Sequence, residues 1–214
     1  MRRKRSEGGN GVPLSEWLRD LASDDPETRR TAVTGLGYTR SKEAVTALLE
    51  ALRDSDSGVR AGALLSLVEL KPKHVLEKVA ALLADPNAFV RQMAAFTLEG
   101  LHDASAVSFL IPALTDPSAE VRQGVCRALG WLGDEGAVSA LREIRDDPDR
   151  EVRVDCGLSL FRLGDPEGRK LVEQLLEEGG LRPETRDLLA RELSGTSRRA
   201  RAASRAKRKR GATG

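Results

Sequence analysis

At 214 residues, with 40% hydrophobic but only 3% aromatic content, the chain is long enough to bury a substantial core and too poor in rings to build one compact aromatic centre. Its two cysteines, Cys126 and Cys156, exclude a disulfide scaffold and match no zinc spacing, and no stretch approaches the roughly 20 apolar residues that span a bilayer. The formal net charge of +2 conceals a segregation: residues 12–196 hold 23 basic against 32 acidic side chains, while Arg2, Arg3, Lys4 and Arg5 at the front and a C-terminal run carry the positive excess.

Without the apolar run of a secretory signal at its start, the chain reads as soluble and cytoplasmic. Residues 1–12 are expected to be a basic, disordered N-terminus. From there the apolar pattern has the period of helices, predicted at about 13–22, 26–38, 41–53, 57–69, 72–84, 88–101, 104–114, 119–132, 135–145, 150–163, 166–178 and 183–194. They fall into six pairs.

The pairs repeat. Val59-Arg60, Val90-Arg91, Val121-Arg122 and Val152-Arg153 recur every 31 residues, preceded at the same interval by Asp54, Asp85, Asp116 and Asp147. Thr28-Arg29 occupies the slot one unit earlier, and PETRDLLARE at 183–192 resembles PETRRTAVTG at 26–35 but lies two residues out of phase. A pair of this length cannot bury its apolar stripe alone, so neighbours stack into a shared core. The expected fold is all-α: a right-handed α-solenoid over residues 13–194.

The recurring arginines, Arg29, Arg60, Arg91, Arg122 and Arg153, have two readings: a basic ladder for an anionic ligand, or struts to the turn aspartates. The shared period of arginine and aspartate favours struts, because a buried guanidinium needs fixed carboxylates. Cys126 and Cys156 fall in the small-residue seam of the second helices, where packing is expected. His74 and His102 sit near turns, and no role is assigned to them.

The motif is most complete at 116–141, DPSAEVRQGVCRALGWLGDEGAVSAL, and there it resembles the HEAT-like repeat of the phycobilisome-lyase type. The resemblance implies about six helix pairs with the second helix of each lining a concave surface. It reaches two enzyme branches. One, similar to deoxyhypusine hydroxylase, uses His-Glu pairs to hold two irons, but neither His74 nor His102 is followed by Glu. The other comprises bilin lyase subunits, which act on chromophore-bearing proteins and whose assignment rests on no transferable motif. No catalytic residue, metal ligand or cofactor is therefore expected, and the leading reading is a non-catalytic, monomeric scaffold. A bilin lyase-like subunit is the alternative.

The concave positions implied by the resemblance lie just before Val-Arg, just after it, and one and two turns further on. Four of the seven aromatics land there, Tyr38, Phe89, Phe96 and Trp131, and with Glu69, Gln92, Met93, Gln123, Arg127 and Arg162 they make the candidate protein- or peptide-binding face. Ala61, Gly124, Val154, Asp155 and Leu158 share those registers. Trp131 has a second reading, as a ring covering the gap between neighbouring helices. Acid and base nearly balance on this face, which makes it a poor phosphate groove.

Residues 195–214 end the chain as a basic tail without periodic apolar residues, expected to be disordered. Its cations are Arg198, Arg199, Arg201, Arg205, Lys207, Arg208, Lys209 and Arg210. Nucleic acid, an anionic membrane surface, the acidic body or simple solubility are its open roles.

Overall fold

A computed structural model describes residues 11–195. The basic termini, including all eight tail cations, lie outside the described residues. The chain divides into two compact units, Met1–Ala113 and Leu114–Gly214, each built of paired helices. No helix among the described residues is long and apolar enough to cross a membrane.

The first unit contains α1 (Leu14–Asp20), α2 (Pro26–Gly37), α3 (Lys42–Ala51), α4 (Ser57–Leu70), α5 (Leu76–Ala80), α6 (Ala88–Gly100) and α7 (Val107–Leu110). The second contains α8 (Ala119–Leu132), α9 (Val138–Glu143), α10 (Arg150–Arg162), α11 (Pro166–Glu178) and α12 (Pro183–Leu193). All twelve expected helices are present in order. The first helices of the middle pairs are shorter than their apolar stripes suggest. α5 starts late because Lys71 turns left-handed and Pro72 follows it, and α7 gives way to a 3-10 turn at Ile111–Thr115, which contains Pro112.

The second helices carry the packing. In the first unit α4 lies between α2 and α6, and Ala32, Val33, Leu36, Val59, Leu64, Leu67, Val90, Ala94 and Leu98 are wholly buried. In the second, α10 packs against α8, α9 and α11, burying Val121, Val125, Leu129, Leu141, Val152 and Leu160. Both cysteines are free and buried in this seam. Close approach is set by small residues: a Cβ on Gly130 would lie 2.4 Å from Ser159 Oγ, and that hydroxyl donates to the Cys126 carbonyl at 2.8 Å. Ser66 makes the equivalent bond to the Val33 carbonyl in the first unit, also at 2.8 Å.

Arg29, Arg60 and Arg122 are struts. Arg29 holds Asp54 through Nε and Nη2, both at 2.8 Å, while its Nη1 donates to the carbonyls of Ser23 and Asp24. Arg60 does the same with Asp85 at 2.7 and 2.8 Å and with the carbonyls of Asp54 and Ser55. In the second unit Arg122 holds Asp147 at 2.8 Å through both nitrogens. Each of these aspartates also accepts the backbone N–H two residues on, from Asp56, Asn87 and Asp149. The helix opens only after that turn, where Asp56, Asn87 and Asp149 accept the N–H groups of the first helical residues. The repeating aspartate is thus a turn-former and ion-pair partner, and its successor is the cap.

One register of the repeat is left-handed throughout. Arg40, Lys71, His102, Gly133 and Gly164, spaced by 31, have φ of 48°, 46°, 55°, 74° and 80°. This is the residue that follows the second helix and turns the chain back, a position suited to glycine.

Candidate partner-binding face

On the first unit the predicted face is exposed. Tyr38 at the C-cap of α2 is 61% accessible, Leu65 on α4 43%, and Phe89 and Phe96 on α6 54% and 39%. Phe89, Met93 and Phe96 follow at i, i+4 and i+7, so they form one stripe along α6. Leu65 occupies the same register on the adjacent α4 as Phe96 on α6, which widens the stripe into a patch. Gln92 and Met93 are half-buried and Glu69 is exposed. The face's charged residues near α2 are already engaged: Arg30 holds Asp56 at 2.8 Å through two nitrogens and also pairs with Glu27. The Arg30 hydrogen bond keeps the Asp56 carboxyl far below the usual carboxylate range.

On the second unit the same registers are largely filled. Trp131 is half-buried, and the Arg162 guanidinium carbon stands 3.9 Å from its ring centroid. Arg162 in turn reaches Glu192 on α12 at 3.3 Å, with both side chains mostly buried. Trp131, Arg162 and Glu192 therefore form a chain of contacts across α8, α10 and α12, so the ring both packs and keeps part of its surface accessible. Gln123 bonds the α10 cap Asp149 at 3.4 Å, and Arg127 is half-buried.

Several registers expected to face outward are covered. Ala61 and Gly124 are buried between second helices. Val154 and Leu158 are 4% and 2% exposed, because they are packed in one cluster with Val172 and Leu175 of α11 and Leu189 of α12. Asp155 stands beside them, and burial pushes its carboxyl up to about 6 against the pull of Arg127 and Arg162, with Glu151 adding to the rise. Sequence reasoning placed Asp155 on the face without seeing this environment, since the covering helix is two residues out of phase.

His74 and His102 lie in turns, and no group of three or more His, Cys, Asp or Glu among the described residues is placed to hold a metal ion.

The HEAT repeats family model matches residues 13–95 and 76–160, most of the chain. The chain belongs to the HEAT repeat family. No curated protein sequence matches it. Among solved structures, this HEAT-repeat chain is similar to a chain of the complex of CpcE and CpcF of phycocyanin lyase from Nostoc sp. PCC7120. The two are 23% identical with a TM-score of 0.69, over 90% of this chain and 80% of that one. It is also similar to a designed armadillo repeat protein in complex with the peptide (KR)4, with 19% identity and TM-score 0.57 over 87% and 100%. An engineered protein matches at 22% identity and TM-score 0.60 over 85% and 97%. These likenesses place the HEAT pairs of this chain in the α-solenoid class and establish the fold alone.

Proposed function

We propose that the protein is a non-catalytic HEAT-repeat adaptor that docks a protein or peptide segment on the second-helix face of its first unit. The observation that carries the reading is the exposed patch of Leu65, Phe89 and Phe96 with Met93 between the rings. The stacking core does not use these side chains, and such a patch exposes apolar surface that water solvates poorly. A partner with large apolar side chains removes that surface, while Glu69 and the Arg30 pair supply a polar rim. Trp131, half-buried with Arg162 stacked over its ring, is the corresponding feature of the second unit.

The likeness to a designed repeat protein that holds a peptide supports this use of the fold. The likeness to a phycocyanin lyase complex is of the same kind, and no residue of this chain acquires a role in chromophore chemistry from it.

Affinity capture from source-cell lysate, with wild type beside Phe89→Ala and Phe96→Ala, tests the proposal. Both variants are expected to lose the captured partner by tenfold or more, the size of an interface anchor, with melting temperatures within about 2 °C of wild type because the rings are half-exposed. Equal capture by all three proteins, or a collapse of stability in the variants, makes the rings structural and ends the docking proposal.

A further inference from the structure

The first unit has an open hollow of about 680 Å³ between the loop after α2 and the loop after α4. Arg40, Ser41 and Lys42 line one side, Leu70, Lys71, Pro72 and Lys73 the other, with Val45, Thr46 and Glu69 completing it. The cations are in register: Arg40 and Lys71 are 31 residues apart, as are Lys42 and Lys73. Two successive repeats thus present the same cation-x-cation pair to one space.

Three observations separate this cluster from ordinary surface charge. First, none of these four cations has a carboxylate within ion-pair distance among the described residues, whereas Arg29, Arg30, Arg60, Arg122 and Arg142 all do. Residues 12–196 have more acids than bases, so the lack of partners is not a shortage of carboxylates.

Second, Arg40 and Lys71 sit at the left-handed position, φ 48° and 46°, that His102, Gly133 and Gly164 occupy in later repeats. A residue with a Cβ is less stable there than glycine.

Third, the hollow itself recurs without the charge. In the second unit a smaller one, about 370 Å³, is lined by Glu135, Val138, Leu163, Gly164, Asp165 and Pro166, the registers of Lys42, Val45, Leu70, Lys71, Pro72 and Lys73. Repeat geometry makes the space, and of these two hollows the one in the first unit is lined with cations.

We propose that this hollow binds a small organic anion bearing two or more phosphate groups. Two cation pairs one repeat apart demand a ligand with at least two anionic centres, and lysine and arginine are the residues that hold phosphate. The volume is that of a small-ligand site, and Val45, Leu70 and Pro72 offer an apolar floor to the organic part. Glu69 is the one carboxylate on the wall and selects against ligands that extend toward it. The site shares only Glu69 with the docking patch, so either proposal can fail alone.

Titration of the full 15N-labelled chain with sodium tripolyphosphate and with adenosine triphosphate, with sodium sulfate matched for ionic strength, tests the site by backbone-amide shifts. Both phosphates are expected to move Thr46, Leu70, Lys71 and Lys73 saturably, and sulfate is not. Tighter binding of the nucleotide identifies an organic ligand; equal binding leaves the phosphate chain as the recognised part. Lys71→Gly with Lys73→Ala is expected to weaken binding at least tenfold, whereas Lys78→Ala, an exposed cation outside the hollow, leaves it unchanged. Lys71→Gly alone is expected to raise the melting temperature by about 2 °C while weakening binding, since glycine suits the left-handed position. Shifts confined to residues 1–10 and 196–214, or unchanged affinity in the double variant, overturn the proposal.

Discussion

Asp155 is the side chain whose surroundings most contradict its chemistry. Its carboxyl is held up to about 6 by burial, although Arg127 and Arg162 pull it down. Raised above the ordinary value of 3.8, it contributes stability below that value, which is lost as pH rises through about 6. At neutral pH the charged form costs on the order of 2 kcal/mol after allowance for its partial solvent contact. Asp155→Asn is therefore expected to melt higher than wild type at pH 7.5 and to converge with it near pH 4; a variant less stable than wild type at pH 7.5 refutes this account. Trp131 illustrates a different residue-scale lesson. The sequence marked it as either core or offered surface, and the ring is half-buried, because Arg162 reaches back across it while Glu192 holds that guanidinium from the far side.

At the scale of elements, α12 governs the end of the second unit. Leu189 is wholly buried in one cluster with Val154 and Leu158, so Leu189→Ala should cost about 2–4 kcal/mol, read by urea denaturation. A loss below about 1 kcal/mol shows that α12 is only loosely seated. This helix also marks where sequence reasoning fell short. The twelve helices, the struts and the exposed rings of the first unit follow from the 31-residue period, because interior repeats meet identical neighbours. PETRDLLARE keeps the apolar residues but shifts by two, so the face of α10 meets a helix in a different register and residues assigned to the surface become core. The cation pairs Arg40/Lys42 and Lys71/Lys73 were visible at the same period. They lie in loops rather than on second-helix faces, and nothing in the sequence announces that the two loops enclose a common space.

Within each of the two units of the molecule, cohesion includes repeated joints of one kind. Arg29 and Arg122 hold Asp54 and Asp147 below the ordinary carboxylate value of 3.8 through paired hydrogen bonds, opposed by burial. For a depressed carboxylate the stabilisation is fully present above the unfolded value and lost as pH falls through the folded one. The melting temperature is thus expected to be flat from about pH 5 upward, as far as these groups govern it, and to fall steeply below about pH 4. Asp54→Asn and Asp147→Asn should lower the plateau and flatten that fall, measured by calorimetry across the acid range. An unchanged acid limb in the double variant removes the struts as its cause.

The strut has an evolutionary corollary. Arg29, Arg60 and Arg122 each reach one module ahead for a carboxylate and back along the chain for carbonyls, so these joints share the same two halves. Cutting out residues 55–85 would leave Arg29 with Asp54 and give Arg91 the carbonyls of Asp54 and Pro86, so the strut would close again, while Arg30 would meet Asn87 in place of Asp56. A gene can lengthen or shorten such a protein by whole modules, adding or deleting cation-lined or glycine-lined loops, while the mortar between the bricks stays the same.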